Sequence, residues 1–227
     1  LAVAERLRRH GARLFICDVA DSVLDAFAEA FPDAGWIKAD VANDDDVDRM
    51  FDAAGEALGG LDALINNAGI AGPTGGVEAI DPADWRRTID VCLTGQFLCT
   101  RRAVPMLKAA GGGSIVNLSS AAGRHGYAFR TPYSSAKFGV IGFTQSLAKE
   151  LGPDNIRVNG ISPGVILTPF HDGKTQEWLE MMRKMVPLGR LGTPEECVGT
   201  FLYLASSEMS GYITGQVIEV SGGQLMP

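Results

Sequence analysis

Tyr133 and Lys137 stand four residues apart in Tyr133-Ser134-Ser135-Ala136-Lys137, directly after Thr131-Pro132, a pair that reads as a helix start. On a helix this spacing puts phenol and ammonium on one face. A free tyrosine loses its proton near pH 10. Acting as a base near neutrality therefore requires lowering its pKa by roughly three units, about 4 kcal/mol. A lysine one turn away supplies part of that. The same spacing also occurs as a plain surface pair, so the surroundings decide. Upstream, Gly113–Leu118 reads as a buried strand that delivers Ser119-Ser120 at its carboxyl end, where open α/β sheets hold ligands. Ser120 is thereby placed to hydrogen-bond the same substrate oxygen as Tyr133.

Asp18 ends the run Leu14-Phe15-Ile16-Cys17, where a carboxylate accepts hydrogen bonds from adenine-ribose hydroxyls and repels a 2′-phosphate. That favours NAD over NADP. The alternative is a helix cap within Asp18-Val19-Ala20-Asp21, a role that suits Asp21 better. Asp44-Asp45-Asp46 reads as the solvated first turn of a helix rather than a metal site. His10, His125 and His171 lie far apart, and Cys17, Cys92, Cys99 and Cys197 show no paired spacing, so no metal is expected. The thiols read as reduced, in a cytoplasmic protein.

The elements that must position these groups alternate in βαβ rhythm. Helices are expected over 1–9, 22–30, 45–58, 82–109, 133–151 and 194–205. Strands are expected over 13–17, 36–39, 61–65, 113–118, 156–161 and near 217–220. The expectation is an α/β fold, a doubly wound parallel sheet of Rossmann-like type, as a single domain over 1–227 without repeats or a linker.

At this point the chain resembles the short-chain dehydrogenase/reductase family, in which a serine, a tyrosine and a lysine form the catalytic core around a nicotinamide cofactor. Asn66-Asn67-Ala68-Gly69 after a strand is similar to the family's Asn-Asn-Ala-Gly, and Ser162-Pro163-Gly164-Val165-Ile166-Leu167-Thr168 to its Pro-Gly segment. The stretch 215–223 is similar to its last strand, so the motifs cover nearly the whole chain. The resemblance implies Ser120, Tyr133 and Lys137 as catalytic residues. It implies cofactor contacts from Asp40-Val41 at the adenine, Asn67, Ala68 and Gly69, and Ile166 and Thr168 at the carboxamide, with Tyr133 and Lys137 at the nicotinamide end. Asp40 equally reads as a turn residue, and Asn67, Ala68 and Gly69 as a tight turn.

The chain departs from the family pattern twice. A first strand and a Thr-Gly-x-x-x-Gly-x-Gly turn should precede Leu1, and the expectation is that they belong to the protein outside the sequence given; a chain truly lacking them would bind cofactor poorly. In Val91-Cys92-Leu93-Thr94-Gly95 the family's asparagine is Cys92, whose thiol forms poor hydrogen bonds. Core packing is its expected role.

The implied reaction is NAD(P)-dependent exchange between a secondary alcohol and a ketone, on a sugar, sugar acid or similar polar hydroxy compound. The alternatives are a 3-oxoacyl thioester or steroid-type reductase, or a non-catalytic cofactor-sensing or scaffold protein. Substrate candidates are Arg124, His125 and Tyr127, which could meet a polar or anionic group or form a solvated loop, and His171 in the variable lid segment 169–188. Trp178, Met181, Met182 and Met185 there fit a pocket or plain packing.

With 227 residues, 46% hydrophobic and 21% charged, the chain can bury a large core. No apolar run approaches the length of a membrane span, and a net charge of -7 argues against nucleic-acid or acidic-membrane partners. The resemblance implies a homotetramer built through the 82–109 and 133–151 helices.

Overall fold

The computed structural model describes residues 1–171 and 173–226. The elements run α1 (Ala2–Arg9), β1 (Phe15–Asp18), α2 (Asp21–Ala30), β2 (Gly35–Lys38), α3 (Asp44–Leu58), β3 (Ala63–Asn66), α4 (Pro82–Ile89), α5 (Gly95–Ala109), β4 (Gly113–Leu118), α6 (Ala122–His125), α7 (Thr131–Leu151), β5 (Ile156–Pro163), α8 (Gln176–Lys184), α9 (Pro194–Ala205), α10 (Ser207–Ser210) and β6 (Val217–Val220). Every strand pairing is parallel, β1 with β2 and then β3-β4-β5-β6.

Local chemistry sets the helix ends. The Asn43 side chain accepts a hydrogen bond from the Asp46 amide, the acidic turn 44–46 favours the α3 dipole, and Gly59 closes α3 at φ 70°. Asp81 caps α4 ahead of Pro82, and a Thr193–Glu196 capping box opens α9.

The strands alternate their side chains between two apolar layers. Ile115 and Val158 pack with Val47, Phe51, Leu98 and Leu151 of α3, α5 and α7 on one face. Val116 and Ile161 pack with Phe201 and Leu204 of α9, and Val3 of α1, on the other. This is the doubly wound arrangement the rhythm predicted.

Among the described residues nothing hydrogen-bonds between β1 and β3, and both are only partly buried, whereas β4 and β5 are almost wholly buried. Phe15 and Cys17 of β1 and Leu64 of β3 nonetheless share one core cluster, so the two sheets face a common interior.

The single helix expected over 82–109 is interrupted. Residues Asp90–Thr94 form one π-helical turn between α4 and α5. The insertion turns Cys92 inward to the backbone of Ile70, and the helix axis resumes at Gly95. Helices α6 and α10, which sequence periodicity did not signal, are short connectors, and α8 carries Trp178, Met181 and Met182 of the stripe at helical spacing. No helix among the described residues is long and apolar enough to cross a membrane, and no group of potential metal ligands occurs among them.

Candidate active site

The expected site residues gather where the strands end. Asp18 is the last residue of β1 and Asp40-Val41 follows β2. Asn67, Ala68 and Gly69 follow β3, Ser120 follows β4, and Ile166 and Thr168 follow β5. A buried polar chain holds this rim together. Asn66 Nδ2 donates to Asn117 Oδ1 at 2.9 Å and to Thr100 Oγ1 at 3.2 Å, and Asn117 Nδ2 donates to Thr144 Oγ1 at 3.0 Å. It ties β3, β4, α5 and α7 to one another, and each partner is satisfied by the next.

At its centre, α7 carries Tyr133 and Lys137 against the end of β4. Ser119 Oγ donates to the Lys137 carbonyl at 2.9 Å. Gly123 of α6 approaches so closely that a Cβ there would sit 2.5 Å from that carbonyl oxygen, so no larger residue fits. Lys137 is fully buried, and its Nζ donates to the Leu118 carbonyl at 2.7 Å. Gln96 Nε2 shares that carbonyl at 3.1 Å and also meets the Cys92 carbonyl at 3.2 Å.

Burial pushes the Tyr133 phenol up to about 12, against the Ser120 hydrogen bond and the Arg130 charge, which favour the phenolate. Burial likewise lowers the Lys137 pKa below its usual value. Lys137 Nζ lies 5.7 Å from the Tyr133 ring centre. The groups that draw the phenol downward are thus Ser120 and Arg130, where the sequence pattern pointed to Lys137.

Cys92 does more than fill space. Its Sγ accepts from the Ile70 amide and donates to the Ile70 carbonyl, both at 3.4 Å. It thereby fixes the loop that follows Asn67, Ala68 and Gly69. The expectation of simple core packing understates it: a buried thiol holds both backbone groups of Ile70 through the π turn.

The substrate candidates separate. Arg124 is already engaged, with Nε on Glu219 Oε1 at 3.1 Å and Nη2 on the Val217 carbonyl at 3.0 Å. Its charge is matched by a nearly buried carboxylate of β6, so a polar or anionic substrate would meet it as part of that ion pair, and the loop is not simply solvated. Gln224 Nε2 donates to the Tyr127 hydroxyl at 3.4 Å. His125 packs edge-on against Tyr127, and both line an outward cavity of about 440 Å³ with Thr131, Ser135 and Phe138, which Tyr133 and Ser120 do not line. His171 does reach the site, since its ring continues the row Tyr133, Phe170, His171, Trp178 at centroid separations of 5.8, 5.3 and 5.5 Å. Burial, then Lys174 and Arg130, lower its pKa, so it is neutral at neutral pH. In the lid, Asp172 lies outside the described residues. Met182 is packed with Val165, Val186 and Leu191, while Met181 and Met185 are exposed.

Arg130 is the site residue that the sequence reading missed. It immediately precedes α7, its Nη2 donates to the Ala71 carbonyl at 2.6 Å, and its guanidinium carbon lies 5.2 Å from the Tyr133 ring centre. Nothing in the spacing marks it, because the element that brings Ala71 to it lies 59 residues away.

The rim fits a dinucleotide. Asp18 Oδ1 accepts from the Ala20 amide at 3.0 Å, and among the described residues its second oxygen makes no hydrogen bond. Asn67, Ala68 and Gly69 are exposed, leaving their backbone open to a ligand. Asp40 is more constrained, with Oδ1 on the Ala42 amide at 3.0 Å and Oδ2 2.8 Å from Arg87. Val41 packs its side chain against Gly95 in the core, so a ligand contact there would come from its backbone.

A parallel doubly wound sheet with a phenol, a hydroxyl and a buried lysine at its carboxyl rim defines a Rossmann-like α/β enzyme. The sequence model of the family described as enoyl-(acyl carrier protein) reductase matches residues 1–224. The chain is 40% identical over 226 residues to a cis-4-hydroxycyclohexanecarboxylate dehydrogenase of Sinomonas cyclohexanicum, covering 98% of this chain and 90% of that protein. It is 38% identical to a 3-oxoacyl-[acyl-carrier-protein] reductase of Synechocystis over 91% of this chain and 82% of the relative. The solved structure of a short-chain dehydrogenase/reductase of glucose/ribitol dehydrogenase type from Brucella melitensis superposes with a TM-score of 0.92 at 35% identity, covering 100% of this chain and 91% of that one.

The chain belongs to the short-chain dehydrogenase/reductase family. It is an oxidoreductase of CH–OH groups, and its family works with nicotinamide cofactors.

Proposed function

We propose that Tyr133, Ser120 and Lys137 carry out reversible oxidation of a secondary alcohol on a small polar hydroxy compound. The observation that carries this reading is the Ser120–Tyr133 pair at the end of β4, with Lys137 one turn further along α7. Ser120 orients the alcohol oxygen, Tyr133 takes its proton, and in the reverse direction protonated Tyr133 returns one to a carbonyl. Lys137, freed from the Leu118 carbonyl, would hold a ribose hydroxyl of the bound cofactor and add positive charge near the phenol. A nicotinamide bound along the rim would supply the hydride acceptor.

Asp18 supports NAD as the preferred cofactor, because its free oxygen can accept from ribose hydroxyls and would repel a 2′-phosphate. Asn67, Ala68, Gly69, Ile166 and Thr168 extend the same track, and the open edges of β1 and β3 suit one further parallel strand with its phosphate-binding turn. Phe97 and Phe138, exposed on α5 and α7, suit a tetramer contact. The hydroxycyclohexanecarboxylate and glucose/ribitol relatives support a polar hydroxy substrate.

The test is NADH formation by the full-length protein with hydroxy acids, polyols and 3-hydroxyacyl thioesters, using NAD and NADP in parallel. NAD-linked oxidation of a hydroxy compound, lost in Tyr133→Phe while NAD still binds, is expected. Undiminished turnover by Tyr133→Phe would refute the assignment of the proton step.

A further inference from the structure

We infer that Arg130 is the substrate's carboxylate anchor, so that the preferred substrate is a secondary hydroxy acid on a compact apolar frame. The inference rests on the alcohol-oxidising reading above and names the substrate class of that site. Arg130 carries a fixed positive charge on the rim of the phenol, 5.2 Å from the Tyr133 ring centre. Among the described residues one of its five donors is used, by the Ala71 carbonyl. Its buried Nε has no hydrogen-bond partner among the described residues.

The residue as a whole is partly exposed, so its terminal nitrogens stay within reach of a ligand, and a carboxylate is the group whose planar geometry and charge fit them. The other arginines near the rim do not present such a vacancy. Arg87 pairs with Asp40 and Arg124 with Glu219, while among the described residues no carboxylate pairs with Arg130. The Ala71 hydrogen bond holds the head in place, so little side-chain freedom is lost when an anion binds.

The frame between hydroxyl and carboxylate is set by the aromatic row beside Tyr133. Phe170 lies beside Tyr133, and His171 and Trp178 continue that row with aromatic faces. His171 is neutral at neutral pH and so offers no second positive charge. An anion at Arg130 with hydrocarbon against Phe170 suits a hydroxy acid with an alicyclic or short aliphatic body better than a polyol, whose hydroxyls would lose water against these rings without partners.

The experiment uses full-length protein and two probes with the same ring, 4-hydroxycyclohexanecarboxylate and its uncharged carboxamide. The wild type should favour the acid in kcat/KM by about tenfold or more, the usual worth of a charge-assisted hydrogen bond. Arg130→Gln should collapse that ratio towards one, chiefly through the KM of the acid, and Arg130→Lys should restore part of it. An unchanged ratio in Arg130→Gln, or no preference in the wild type, overturns the inference. Calorimetric binding of cyclohexanecarboxylate decides the same point without turnover. Binding that weakens about tenfold in Arg130→Gln supports the anchor even if neither probe is oxidised, an outcome that would instead count against oxidation of this ring alcohol. Equal binding by both proteins overturns the anchor alone.

Discussion

Replacing Cys92 tests whether the π turn holds the cofactor loop. In Cys92→Ala, the Ile70 amide and carbonyl each lose the sulfur that sits 3.4 Å away, inside a helix packed against the loop. A buried backbone group left unpaired costs about 1–3 kcal/mol; sulfur bonds are weak, which places each at the lower end. The vacated volume adds about 1 kcal/mol, for a total near 3 kcal/mol. At about 2–4 °C per kcal/mol for a domain of this size, the unfolding midpoint should fall by about 6–12 °C. Thermal unfolding followed by circular dichroism measures it. Cys92→Asn, with an amide that both donates and accepts, should stay close to the wild type. The loop also carries the Ala71 carbonyl that seats Arg130, so Cys92→Ala should raise KM for cofactor and for acid substrate together. A Cys92→Ala protein that melts and turns over like the wild type would refute the reasoning.

Further outcomes follow from the same geometry. Arg124→Ala should lower stability by about 2 kcal/mol, less than the 3–5 of a fully buried pair because the arginine is partly exposed, and denaturant unfolding of the double variant with Glu219→Ala should show strong coupling. The pKa of His171 is lowered on folding, so the unfolded chain binds its proton first. Stability from this residue should be present above about pH 6.5 and lost as pH falls below it, and His171→Phe should flatten that acid limb in thermal melts. Tyr133, pushed up to about 12, holds its proton across the neutral range. Oxidation should therefore accelerate as pH rises above neutrality while reduction stays level, and initial rates in both directions over a pH series check it.

Much of the site was legible because its chemistry is local. Tyr133 and Lys137 share a helix face, and Ser120 follows a strand whose apolar run is plain, so spacing together with its surroundings and the family resemblance pointed to them. Asn67, Ala68 and Gly69 announced themselves as backbone without bulk. Helix ends were also written locally, as Pro194 and the capping residues of α9 show. What escaped depends on distant segments. The π turn goes with a contact of Cys92 to Ile70 across a loop, and a period of 3.6 residues runs straight through 82–109 without signalling it. Arg124 and Arg130 look alike in sequence, yet β6 supplies a carboxylate to one and the loop after β3 supplies only a carbonyl to the other.

That difference bears on how the phenol is controlled. Two cationic side chains lie within 6 Å of the Tyr133 ring centre, yet burial still leaves the phenol pushed up to about 12. Burial outweighs the nearby charges: the Lys137 ammonium donates its hydrogen bond to the Leu118 carbonyl, and Arg130 lies over the ring. A site at rest with the proton on Tyr133 is set as an acid, ready to protonate a carbonyl. Turning it into a base requires positive charge to move towards the phenol oxygen. Lys137 is the group able to do so, since releasing one carbonyl frees its flexible stem, whereas the Arg130 head is held by the Ala71 carbonyl. A substrate carboxylate paired with Arg130 would further weaken the pull on the phenolate. Oxidation of an acid would then depend on Lys137 more steeply than reduction of the corresponding keto acid does.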